Sequence, residues 1–100
     1  AAINPKHRDK SDIVIDARKK AILPGFFNMH AHAAMALFKG YADDYELHEW
    51  LTQLIFPMEA TLRPKHVYYG TLLACIEMIH SGITCFNDMY FFEEEIAKAV

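Results

Sequence analysis

His30 and His32 stand two residues apart at the end of the apolar run Pro24-Gly25-Phe26-Phe27-Asn28-Met29. Side chains alternate faces along a β-strand, so both imidazoles point the same way, with backbones about 6.6 Å apart. Two imidazoles on one face can converge on a single cation, at nitrogen–metal distances of about 2.0–2.1 Å for zinc. A catalytic zinc ordinarily takes three protein ligands, so the pair needs partners from elsewhere. The other histidines, His7, His48, His66 and His80, have no partner at ligand spacing and are read as solvated or helix-surface residues. Two core-facing histidines with a purely structural role are the alternative, and spacing alone leaves both open.

The elements that must hold this pair follow from pattern. Residues 26–32 are apolar on both faces, as in parallel strands buried on two sides. Before them, 13–15 and 21–23 read as short strands joined by a turn at 16–20, and Pro24-Gly25 marks a boundary. Residues 1–11 read as polar and irregular. After the histidines, 33–40 has the look of a short helical turn, followed by a polar, aromatic loop carrying Tyr41 and Tyr45. Leu47, Trp50, Leu51, Leu54 and Ile55 recur at i, i+3, i+4, i+7 and i+8, an amphipathic helix that Asp43 with Glu46 is expected to cap and Pro57 to stop. Pro64 suits the first turn of a further helix running to about Ser81, with Tyr68, Leu72, Cys75, Ile76 and Ile79 inward and Gly82 closing it. Residues 83–89 read as a second strand. Glu93, Glu94 and Glu95 then open a last helix, with Glu94 and Lys98 as an i, i+4 pair. Strand, helices, strand and helix predict a right-handed βαβ crossover and a parallel sheet, an α/β fold.

The chain is 53% apolar, enough for a core, with 23% charged residues and a net charge of −3. That balance gives no polyanion-binding surface, so nucleic acid is not the expected partner. No apolar run reaches the roughly 18–20 residues of a membrane span. Cys75 and Cys85 sit in apolar stretches and read as two reduced core thiols of a cytoplasmic protein. The chain lacks an initiator methionine and stops at Val100 inside a helical pattern, so a piece of a longer polypeptide is expected. Two parallel strands cannot cover both faces. Either further strands follow, or copies of the chain associate as a homo-oligomer.

The segment 24–32 resembles the amidohydrolase superfamily, whose members open a metal-binding (β/α)8 barrel with a His-x-His on the first strand. The likeness continues through 40–59, Tyr68-Tyr69-Gly70-Thr71-Leu72-Leu73, Glu77-Met78, Gly82, and Asp88-Met89-Tyr90 to Val100. There the chain is similar to the deaminases of methylthioadenosine and S-adenosylhomocysteine, and to the aminohydrolases and chlorohydrolases of s-triazines. The family pattern often has Thr, Pro and Arg where this chain has Ala31, Ala34 and Lys39. Lysine cannot reproduce the bidentate fork of arginine, and none of the three changes touches metal binding.

The resemblance implies the first strands and helices of a metal-dependent (β/α)8 TIM barrel over 24–100, incomplete, preceded at 1–23 by the end of a small β-sandwich. It places one divalent metal on His30 and His32, most often Zn2+, although imidazole also suits Fe2+ and Ni2+. It places substrate contact on Trp50 and ribose hydroxyl binding on Glu59. The implied reaction is hydrolytic deamination of an adenosine-type nucleoside, a small-molecule substrate. The remaining metal ligands and acid–base groups are then expected beyond Val100, and this portion alone is expected to be inactive. For Trp50 and Glu59 the structural alternatives are a core aromatic and a solvated carboxylate. Asp88, at the end of the second strand, reads as an acceptor for nearby backbone amides rather than a catalytic group. Asn28 shares the face of the histidines and is expected to pack or hydrogen-bond there. A different class of reading also stands: a non-catalytic α/β fragment with structural histidines.

Overall fold

The computed structural model describes residues 13–100. The polar segment 1–11, and His7 within it, lie outside the described residues. Two parallel strands, β1 (Phe26–Ala31) and β2 (Ile83–Asp88), pair with Phe26 opposite Ile83 and Ala31 opposite Asp88. The connection between them carries a 3-10 turn (Ala33–Phe38), α1 (Leu47–Glu49), a π-helical turn (Trp50–Ile55), α2 (Phe56–Glu59) and the long α3 (Pro64–His80). After β2 comes α4 (Glu93–Ala99). The parallel sheet, with helices between its two strands, is the one the sequence pattern predicts. No helix among the described residues is long and apolar enough to cross a membrane.

Ala34, Val67 and Ile96 form the centre of the core, with Leu62, Phe86 and Tyr90 packed against it. The 3-10 turn therefore lies directly on α3. The approach is close: a Cβ on Gly70 would stand 2.6 Å from the Ala34 carbonyl oxygen, a separation only glycine avoids. At the other end of α3, Gly82 takes φ 78° just past the Ser81 cap, the left-handed conformation that ends a helix.

Four expectations are corrected. The helix after residue 46 is capped by Glu46, whose side chain accepts from His48 N–H, rather than by Asp43. It does not stop at Pro57. The π turn, closed by Phe56 N–H to the Leu51 carbonyl, lets Pro57 fall in the first turn of α2, where a missing N–H costs least. On α3 the buried face is Val67, Gly70, Thr71 and Ala74, while Ile76 and Ile79 are exposed. Small residues win that face because the 3-10 turn packs so near. Segments 13–15 and 21–23 form no strands; only their turn is present, with Lys20 N–H donating to the Ala17 carbonyl at 3.0 Å. A lone two-stranded hairpin is marginal in water, and among the described residues no strand lies beside it.

Smaller differences follow the same lines. Lys98 pairs with Glu95 rather than Glu94. Both cysteines are free thiols, but Cys85 is exposed on β2 instead of buried; burial pushes the half-buried Cys75 thiol up. His66 closes the start of α3, its Nδ1 accepting from Arg63 N–H. Lys39 forms an exposed ion pair with Glu77.

Candidate functional site

β1 carries His30 to its C-terminal end, and His32 lies one residue beyond the strand. Their rings meet edge to face with Nε2 atoms 3.2 Å apart. Asn28 steadies this end of the strand, its side-chain oxygen accepting from His30 N–H. His32 Nδ1 lies 2.6 Å from the Met89 carbonyl. A carbonyl only accepts, so Nδ1 carries a proton, and in the tautomer that this selects Nε2 is the nitrogen with the lone pair. Ligating histidines are characteristically held this way by an acceptor behind the ring.

The fit of a metal follows from that geometry. Two nitrogens bound tetrahedrally at about 2.0–2.1 Å from one zinc sit roughly 3.3 Å apart. The observed 3.2 Å needs almost no rearrangement. The pair could supply two ligands and no more, since among the described residues no cluster of three or more His, Cys, Asp or Glu forms around it.

Asp88 ends β2 beside the histidines. Its carboxylate accepts from Ala33 N–H at 3.1 Å and from Met89 N–H at 2.8 Å, the acceptor role expected from the sequence. Burial lifts the Asp88 carboxyl above its ordinary range, opposed by those two amides. Met89 N–H also donates to the Ala31 carbonyl, so the end of β2 is tied to β1 just before His32.

A cleft of about 230 Å³ opens next to the pair. His32, Trp50, Glu59 and Tyr90 line it, together with the apolar side chains of Leu51, Phe56 and Met89. Three of the four residues singled out from the sequence thus share one cleft, and the fourth, His30, touches it through His32. The π turn is what brings Trp50 and Glu59 together. Nine residues apart on an ideal α-helix, they would stand about 180° from each other. The wider turn, bonded i to i+5, advances each residue by less and returns Glu59 to the side of Trp50.

Tyr90 was not among the site residues picked out by spacing. Its hydroxyl donates to Glu59 Oε1 at 2.8 Å. Burial first, and the Glu59 carboxylate second, hold its phenol well above the ordinary value. The available signal was position: Tyr90 follows the C-terminal end of a parallel strand, the side on which barrel sites are built. Tyr41 and Tyr45 are exposed and lie on the loop before α1, with Tyr45 lining a separate shallow pocket beside Trp50.

Comparison with known proteins gives the family of the chain. The chain is 63% identical over 90 residues to 5-methylthioadenosine/S-adenosylhomocysteine deaminase 1 of Archaeoglobus fulgidus, covering 90% of this chain and 21% of that protein. It is 56% identical over 98 residues to the 5'-deoxyadenosine deaminase of Methanosarcina mazei, covering 98% of this chain and 23% of the relative. The chain therefore spans about a fifth of the length of these curated relatives. Among solved structures, an adenosine deaminase from Xanthomonas campestris with bound zinc superposes with a TM-score of 0.73 and 45% identity, over 76% of this chain and 18% of the other. The profile of the amidohydrolase family matches residues 21–100, strand, histidine pair, cleft helices and second strand included. This chain belongs to the amidohydrolase family.

Proposed function

We propose that this chain is the opening portion of a metal-dependent amidohydrolase that deaminates an adenosine-type nucleoside hydrolytically. Residues 24–100 are then the start of its (β/α)8 barrel, and 1–23 the end of a flanking β-sandwich whose strands pair only with partners outside this chain. The observation that carries the reading is the Nε2 convergence of His30 and His32 at the edge of a cleft that also holds Trp50 and Glu59. The relatives' names point to the same substrate class.

His30 and His32 hold the metal, with zinc the choice the zinc-bound neighbour favours. When bound, a divalent ion lowers the pKa of a coordinated water toward about 7, supplying a nucleophile at neutral pH. The Met89 carbonyl keeps the His32 lone pair aimed outward throughout. Trp50 offers an apolar ring to the substrate from the cleft wall. Glu59, with one oxygen engaged by Tyr90, keeps acceptor capacity for the two ribose hydroxyls. That carboxylate favours a nucleoside over a bare heterocycle such as an s-triazine.

The test is metal analysis of the full-length protein, then ammonia release from adenosine, 5'-deoxyadenosine, methylthioadenosine and S-adenosylhomocysteine. Stoichiometric zinc with turnover of at least one of these nucleosides is expected. Metal content unchanged in both His30→Ala and His32→Ala, or turnover of triazines alone, defeats the reading.

A further inference from the structure

Three consecutive residues at the end of β2 grip three different parts of the site. Asp88 holds the Ala33 amide, the Met89 carbonyl holds the His32 ring, and the Tyr90 hydroxyl holds the Glu59 carboxylate. We propose that Tyr90 is a positioning residue that fixes the Glu59 carboxylate in orientation and thereby sets preference for a nucleoside with an intact 2′,3′-diol. The assignment rests on the nucleoside reading of the cleft given above.

Glu59 is unfavourably placed on its own. It is the last residue of α2, where the negative end of the helix dipole disfavours a carboxylate. Its terminal torsion is intrinsically broad and roughly two-fold, so nothing in the helix selects one orientation. A hydroxyl donor at 2.8 Å on Oε1 supplies that selection and offsets the dipole.

Tyr90 is suited to the task because it is itself anchored at two points. Its ring packs against the Ala34, Val67 and Ile96 core, and its backbone N–H donates to Glu93 Oε1 at 2.8 Å. The bond consumes one lone pair of Oε1. Oε2 and the other Oε1 lone pair stay available for two hydroxyl donors, which is the demand a vicinal diol makes. Because Met89 and Tyr90 are adjacent, the carbonyl that orients His32 and the residue that holds Glu59 are joined by one peptide unit. Replacing the hydroxyl frees the carboxylate to turn, and the cost falls on substrates that use both hydroxyls.

The experiment compares zinc-loaded full-length wild type with Tyr90→Phe on methylthioadenosine and its 2′-deoxy and 3′-deoxy analogues. Wild type prefers the diol substrate in kcat/KM, and Tyr90→Phe shrinks that preference about tenfold, the scale of one hydrogen bond to a charged group. The loss appears in KM for the diol substrate, with kcat held within about twofold. On a Glu59→Gln background, Tyr90→Phe adds no further loss, since the two residues act as one unit. An undiminished preference in Tyr90→Phe, or additive losses in the double variant, overturns the assignment. If Tyr90→Phe does not fold, ring-fluorinated tyrosine at position 90 keeps the shape while changing hydroxyl acidity. A preference that tracks acidity supports the role; a flat response overturns it. Wild type inactive on every adenosine nucleoside instead sinks the functional reading, a separate result.

Discussion

Two regions of the molecule flank β1 and behave in opposite ways. On the site side, residues far apart in sequence are tied: Tyr90 to Glu59 across 31 positions, and His32 to Met89 across 57. On the other side, 13–23 contains as much apolar character yet makes only its own turn, with Val14 85% and Ile22 88% exposed. Apolar residues are enough to propose a strand but not to build one. A strand needs a partner edge, whereas the site residues find partners within the same 100 residues.

The largest effect that tests this contrast is on the metal. His30→Ala and His32→Ala are each expected to lower metal affinity beyond the roughly 10–100-fold typical of losing a group behind a ligand. Metal content by elemental analysis reads it. Loading should also fall with pH in wild type, because imidazole binds metal only when deprotonated. Next in size is Gly70→Ala, whose new methyl meets the Ala34 carbonyl oxygen 2.6 Å away. Overpacking there is expected to cost about 1–3 kcal/mol in the denaturant midpoint, and to disturb the turn that follows His32.

Tyr90→Phe comes third, at about 1 kcal/mol near pH 8. Its sign with pH is distinctive. The phenol is held above its ordinary value in the folded state, so its contribution is complete below about pH 10 and is lost as pH rises through the folded value. Wild type should therefore lose more stability than Tyr90→Phe in alkaline denaturation, and equal slopes would remove the Tyr90–Glu59 bond as its source. The smallest effect is Ile22→Ser, within about 0.5 kcal/mol in the 100-residue chain, as for an exposed site. A loss several times larger in the full-length protein would erase the contrast and identify 13–23 as covered by partner strands.

The histidine pair was legible because it obeys short-range rules, whereas Trp50 and Glu59 came only from the family resemblance. The parity of residues 30 and 32 gave a convergent pair, Gly82 gave the end of α3, and strand–helix–strand order gave a parallel sheet. What stayed hidden depended on contacts or on departures from period. The face of α3 is set by how near the 3-10 turn lies, so Gly70 and Ala74 are covered and the larger Ile76 and Ile79 are not. Pro57 reads as a stop until the π turn ahead of it is known. That same turn puts Trp50 and Glu59 on one side, which no 3.6-residue wheel shows. The Tyr90 bond joins separate elements and leaves no trace in any local pattern.

The acceptor that orients His32 belongs to the main chain, and this makes it insensitive to the identity of residue 89. Met89 is 66% exposed, so replacing its side chain changes the cleft wall while the carbonyl keeps its grip. The orientation of the ring is thus protected from point substitution at that position. It is vulnerable to chain length instead: one inserted residue between Asp88 and Tyr90 would swing the carbonyl away and release the imidazole and the Glu59 carboxylate together.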